Sequence, residues 1–259
     1  MPLLATSDGH LDHLVTGSGT PVTVFAHGLA GSIPETRPLG SGVAGRKAFL
    51  HFRGHGASTA PETPWTYAAL AAELRAVADH VAATRALGVS LGAGALTALL
   101  GETPDRFERL VFFLPAALDR PREGTALRRL EAMADLVDDR DVDGLAAVLL
   151  GEQPAAVRRR PDVATWVRRQ AATLVGTPVS RALRAMPRQH PLADRSLLAA
   201  VNAPALVIAQ EADDAHPVSV ARDLAAALPH AELHVFGADG ALWSHRRELR
   251  DRIAGFFNA

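Results

Sequence analysis

The stretch Ala86-Leu87-Gly88-Val89-Ser90-Leu91-Gly92-Ala93-Gly94-Ala95 constrains this chain more than any other. An apolar run leads into Gly-Val-Ser-Leu-Gly and out into an alanine- and leucine-rich segment, so a strand must turn sharply into a helix with a serine at the corner. A residue on such a turn occupies a sparsely populated backbone conformation, and the positions two before and two after it must be small for the chain to reverse. Gly88 and Gly92 meet that demand. The turn lifts the Ser90 hydroxyl clear of the sheet. It also leaves the Leu91 N–H at the start of the helix, aimed where a carbonyl oxygen would become an oxyanion.

Upstream, the β-branched and apolar run Pro21-Val22-Thr23-Val24-Phe25-Ala26 reads as a short buried strand that stops at His27-Gly28-Leu29-Ala30-Gly31-Ser32. A second short strand, Lys47-Ala48-Phe49-Leu50-His51-Phe52, runs into Arg53-Gly54-His55-Gly56-Ala57-Ser58. His51 and His55 stand four apart, but a strand-to-turn junction does not hold such positions on one face as a helix does, so they make a poor metal pair. With these turns the chain resembles the serine-nucleophile α/β hydrolases of the esterase and lactonase kind. The resemblance implies that Leu29 supplies a second oxyanion-hole N–H beside that of Leu91, with Gly28 allowing close backbone approach. The family's turn after the second strand is D-x-R-G-x-G-x-S, and here His51 stands where the aspartate is usual. That departure bears on local hydrogen bonding rather than on chemistry.

A further apolar run at Leu110-Val111-Phe112-Phe113-Leu114 reads as a fully buried strand, Ala205-Leu206-Val207-Ile208-Ala209 as another strand, and Glu232–Phe236 as the last one. Helical patterns separate them, among them a helix N-capped by Thr66 with a stripe at Leu70, Leu74, Val77 and Val81. Residues 1–20 have room for an antiparallel hairpin strand. The alternation predicts an α/β fold, a mostly parallel doubly wound sheet of the α/β-hydrolase type, with ligands binding beyond the carboxyl ends of its strands. From 118 to 198 the strand signal disappears into Arg- and Ala-rich helical stripes broken by prolines. This segment is expected to be a helical cap inserted after the fifth strand of the parallel core, with 1–117 and 199–259 forming the core. A cap would exclude water and shape the pocket.

A length of 259 residues suits one such core with an insertion. A formal net charge of −1 gives no electrostatic reason to expect nucleic acid or an anionic membrane as partner, and the absence of cysteine excludes thiolate chemistry. The N-terminus lacks a signal-peptide pattern, and no run approaches the length of a membrane span, so a cytoplasmic protein acting on a small molecule is expected.

The resemblance places the catalytic acid after the 205–209 strand, four residues before a proline, and Asp213 matches that spacing, with Asp214 its near neighbour. It places the histidine a few residues past the last strand, but Asp239-Gly240 stand there. The next histidine, His245, keeps the chain order Ser90, Asp213, His245 and is the candidate base. Two physical points oppose it: the start of a helix disfavours a charged imidazole, and Ser244 reads as a simple N-cap. His216, another histidine, or no competent base at all stay open. The expected function is cofactor-free and metal-free hydrolysis of a small carboxylic ester, thioester or lactone through an acyl-enzyme. The alternatives are a non-catalytic binding or regulatory protein on the same scaffold, or a C–C hydrolase or cyclase.

Overall fold

Apolar side chains alternate faces along each central strand, and that alternation builds a core on either side of one sheet. The computed structural model describes residues 3–259. On β3 (Val22–Ala26) the residues Val22, Val24 and Ala26 face one core and Phe25 the other. On β6 (Arg109–Phe113) Leu110 and Phe112 oppose Val111 and Phe113, and on β7 (Ala205–Gln210) Val207 opposes Leu206 and Ile208. Strands buried on both faces carry the continuous apolar runs seen in the sequence.

The sheet has eight strands in the order β1-β2-β4-β3-β5-β6-β7-β8. The hairpin β1 (Leu3–Thr6) and β2 (Gly9–Thr16) is antiparallel and pairs antiparallel with β4 (Arg46–Leu50). From β4 through β3, β5 (Arg85–Val89), β6 and β7 to β8 (Ala231–Phe236), every pairing is parallel. Parallel neighbours require crossovers, which the helices supply. Helices α2 (Tyr67–His80), α3 (Leu91–Glu102) and α8 (Val218–Ala227) cover one face. The short α1 (Ile33–Thr36) and the closing α9 (Arg246–Asn258) cover the other through Ile33, Leu249, Ile253 and Phe257. The Thr66 hydroxyl accepts from Ala69 N–H at 3.1 Å, which caps α2 at the position its sequence suggests.

Between β6 and β7 lie α4 (Gly124–Asp138), α5 (Val142–Gly151), α6 (Pro161–Leu174) and α7 (Val179–Ala185). This segment follows the fourth strand of the parallel set, not the fifth expected from the sequence, because the first strands of the chain pair antiparallel. Its buried residues, such as Met133, Val137, Leu145 and Leu183, join the same apolar cluster as α2 and α3. Among the described residues no helix is long and apolar enough to cross a membrane.

Candidate active site

The corner at residue 90 is as tight as its glycines imply. Strand β5 ends at Val89, Ser90 adopts φ 50° and ψ −105°, and α3 begins at Leu91. A non-glycine residue there carries about 1–3 kcal/mol of strain, so its neighbours must hold it. They do: Ser90 N–H donates to the Phe113 carbonyl at 2.9 Å, and Gly94 N–H donates to the Ser90 carbonyl at 3.0 Å. A Cβ on Gly88 would stand 2.4 Å from the Gly92 carbonyl oxygen, and one on Gly92 would stand 2.4 Å from that of Ala26. Only hydrogen fits at either position. Ser90 itself is 8% exposed.

The structure brings Ser90 and Asp213 together through His216. Ser90 Oγ lies 2.9 Å from His216 Nε2, and His216 Nδ1 lies 3.0 Å from Asp213 Oδ2. A carboxylate only accepts, so Nδ1 carries the proton and Nε2 offers its lone pair to the serine hydroxyl. Asp213 Oδ1 also accepts from the backbone N–H groups of Ala215 and His216, at 3.1 Å each. Burial pushes the Asp213 carboxyl up, but the charge of His216 and these hydrogen bonds outweigh it and hold the group below the usual aspartate value. Asp213 therefore stays ionised while it shapes its own loop.

His245 departs from its sequence expectation. It is the N-cap residue of α9, its Nε2 lies 3.0 Å from both Asp239 carboxylate oxygens, and its Nδ1 lies 3.4 Å from Glu248. Asp239, standing where the family places its histidine, pins this ring to its own loop. Local pairing accounts for the difference: the His245 ring is taken up by Asp239 and Glu248 beside it, while the loop after β7 brings its own imidazole to the β5 corner. The signal for His216 was present as Asp213-Asp214-Ala215-His216-Pro217, an acid and an imidazole on one short loop closed by proline.

The loop after β3 faces the serine. A Cβ added to Gly28 would meet Ser90 Cβ at 3.4 Å. Gly31 N–H closes a turn on the Gly28 carbonyl at 3.0 Å, and Ala30 adopts φ 56°. The His27 ring fixes the strand end: Nδ1 donates to the Gly28 carbonyl at 2.7 Å, and Nε2 accepts from Phe52 N–H at 3.1 Å. The N–H groups of Leu29 and Leu91 donate to no acceptor among the described residues. From α6, Gln170 Nε2 donates to the Ala30 carbonyl at 2.8 Å. Nearby on α1, burial pushes the Glu35 carboxyl up to about 7, against its bonds to Ser32 and the charge of Arg169.

The turn after β4 shows how a histidine serves in an aspartate's place. His51 Nε2 accepts from Ile33 N–H at 3.0 Å, and Nδ1 donates to Asp12 Oδ2 at 2.8 Å, so Asp12 on β2 supplies the carboxylate at one remove. Arg53 pairs with Glu73 at 2.5 Å and Asp8 at 3.1 Å. The His55 Nδ1 donates to the Arg53 carbonyl, and its ring lies 4.6 Å from that of His27. Burial, with neighbouring imidazoles, drives His27 well below the usual histidine value. Burial likewise holds His55 down, at about 4. No group of three or more His, Asp or Glu among the described residues is arranged to hold a metal ion.

The comparisons agree with this architecture. Solved structures superpose along the whole chain: an esterase from Exiguobacterium antarcticum (20% identity, 99% of each chain, TM-score 0.81) and the enol-lactonase from Burkholderia xenovorans LB400 (21%, 100% of each chain, TM-score 0.83). A hydrolase from Pseudomonas aeruginosa PA01 does so as well (25%, covering 100% of this chain and 98% of that one, TM-score 0.78). A search of the curated proteins finds no match. The family model for the alpha/beta hydrolase fold matches residues 21–242, a span that runs from β3 past β8 and takes in Ser90, Asp213 and His216. With that match over most of its length, this chain is an α/β-fold hydrolase, a member of the alpha/beta hydrolase fold family.

Proposed function

We propose that this protein is a serine hydrolase that cleaves a small carboxylic ester, thioester or lactone through an acyl-enzyme on Ser90. The observation that carries the reading is the hydrogen-bonded chain Ser90 Oγ, His216 Nε2, His216 Nδ1, Asp213 Oδ2, at 2.9 and 3.0 Å. In this reading His216 takes the hydroxyl proton as Ser90 attacks the carbonyl carbon, and Asp213 stabilises the imidazolium that results. The Leu29 and Leu91 N–H groups receive the oxyanion, a role supported by the absence of any other acceptor for them among the described residues. The imidazolium then protonates the leaving alcohol, thiol or ring oxygen, and a water deprotonated by the same ring hydrolyses the acyl group. The helices between β6 and β7 act as a cap; the Gln170 bond to the Ala30 carbonyl supports that role. A serine at the corner, where an aspartate nucleophile would be needed for dehalogenase or epoxide-hydrolase chemistry, favours acyl transfer.

The competing reading, a binding protein without turnover, rests on the lack of a histidine a few residues past β8. An imidazole on the serine from another loop supports turnover instead. The test is reaction with a fluorophosphonate alongside hydrolysis of p-nitrophenyl esters from acetate to octanoate. Stoichiometric labelling lost in Ser90→Ala, with ester turnover, supports the reading; an unlabelled Ser90 and no turnover across the series would overturn it.

A further inference from the structure

The loop that carries both Asp213 and His216 is short, and its placement over Ser90 depends on contacts from outside. Two arginines from the segment between β6 and β7 reach it. Arg129 on α4 meets Asp214 at 3.2 Å and Glu152 at 2.5 Å, but Asp214 is 68% exposed, and an ion pair so open to water contributes little. Arg122, just ahead of α4, bonds to the backbone of the loop instead. Its Nη1 donates at 2.8 Å to the carbonyl of Ala215, the residue between the acid pair and the imidazole. Its backbone N–H donates to the Pro187 carbonyl at 3.0 Å, which ties it to the far end of the same helical segment.

Three groups act on this guanidinium electrostatically: the Tyr67 hydroxyl, the Asp213 carboxylate and the Glu152 carboxylate. Burial pushes the Arg122 value down and these three oppose it, yet a guanidinium keeps its charge throughout. The tyrosine is held in turn, since its ring fills the space beside Gly94 in the first turn of α3, where a Cβ would stand 2.3 Å from Cε1. Arg122 thus ties the segment between β6 and β7 to the loop that carries Asp213 and His216. Ala212, at the start of that loop, adopts φ 53°, a conformation that alanine rarely holds without outside support.

We propose that Arg122 is a positioning residue of the Ser90–His216–Asp213 unit, holding the acid-and-base loop through the Ala215 carbonyl so that His216 Nε2 stays in hydrogen-bond reach of Ser90. The proposal rests on the serine-hydrolase reading above. Because acid and base share one loop, a displacement at Ala215 moves both at once, and the loss falls on the chemical step rather than on substrate binding.

The experiment compares wild type, Arg122→Met, His216→Ala and the double variant. Each is checked for folding by thermal melting and assayed with p-nitrophenyl acetate and with a fluorophosphonate. Arg122→Met keeps the apolar stem and removes the guanidinium. Its kcat is expected to fall at least about tenfold with KM within about threefold, and fluorophosphonate labelling to slow in step. In the His216→Ala background the same substitution should change the residual rate less than about twofold, because an interaction that acts through a missing side chain has nothing left to lose. A wild-type kcat in folded Arg122→Met, or an equal fold-loss in both backgrounds, overturns the proposal. Should Arg122→Met not fold, Arg122→Gln replaces it: the shorter, uncharged amide gives up the charged bond to the Ala215 carbonyl, so kcat should drop at least about threefold, and an unchanged kcat overturns the proposal. Wild type that is itself unlabelled and inactive sinks the hydrolase reading and this role with it; an active, labelled wild type with an unchanged variant sinks this role alone.

Discussion

Asp213 and His216 lie three residues apart on one loop, and the Asp213 carboxylate accepts both the ring Nδ1–H of His216 at 3.0 Å and its backbone N–H at 3.1 Å. One side chain therefore sets the tautomer of the imidazole and the bend of the backbone that presents it. Asp213→Asn separates these tasks. The amide oxygen can still accept the backbone N–H groups, but an amide facing Nδ1 no longer stabilises an imidazolium. Folding should be kept while kcat for p-nitrophenyl acetate falls by about 10³–10⁴, measured by steady-state kinetics beside circular dichroism.

The two histidines predict opposite results. His216→Ala should lower kcat by at least about 10³ and slow Ser90 labelling to match. His245→Ala breaks the half-exposed pairs to Asp239 and Glu248 and a ring contact with Phe236 at 5.5 Å. It should leave kcat within about twofold and cost less than about 1 kcal/mol in denaturant unfolding. An inactive, folded His245→Ala would refute the assignment of the base to His216.

Steric closure at the corner gives a third expectation. A methyl group on Gly92 would lie 2.4 Å from the Ala26 carbonyl oxygen and 2.7 Å from that of His27, both backbone atoms at the mouth of the site. Gly92→Ala must push the corner and the β3 strand end apart, so it should destabilise by about 1–3 kcal/mol and reduce labelling of Ser90 in the folded fraction. Gly151→Ala, on a helix with open space around the new methyl, is the control and should be neutral or slightly stabilising.

Acid stability should reflect two opposed sets of groups. His27 and His55 are neutral when folded and titrate near 6.5 when unfolded, with His55 reaching only about 4 in the native state. The unfolded chain therefore binds more protons below pH 6.5, and stability present above that value is lost as the pH falls toward 4. Glu35 works the other way: raised to about 7 from 4.5, it contributes stability below 4.5 that is lost as the pH rises through 7. In Glu35→Gln the second contribution disappears. Its melting temperature relative to wild type should rise steadily from pH 4.5 to pH 7.5, read by scanning calorimetry; a constant offset would contradict the burial of this carboxyl.

What the sequence discloses follows the range of the forces involved. The bend at Ser90 is legible because the constraint is local: two glycines and a serine within five residues leave the chain one way to turn. The sheet is legible because strands buried on both faces must be apolar throughout, as at Leu110–Leu114. Asp213 could be singled out by its distance from Pro217. The imidazole partner could not, because chain order allows either His216 or His245, and the two are separated by contacts made across the fold: His216 on Ser90, and His245 on Asp239. The exchange at His51 shows the same limit, since the carboxylate that supports it, Asp12, lies on a different strand and nothing near residue 51 announces it.

In the proposed mechanism acid and imidazole both come from the far end of β7, which leaves the turn between β8 and α9 no chemical duty. Asp239, Ser244 and His245 satisfy one another at the protein's rim. That rim is consequently the place to graft a fluorophore or a tether, since a group attached there disturbs a surface clasp and leaves the proposed Ser90–His216–Asp213 path untouched.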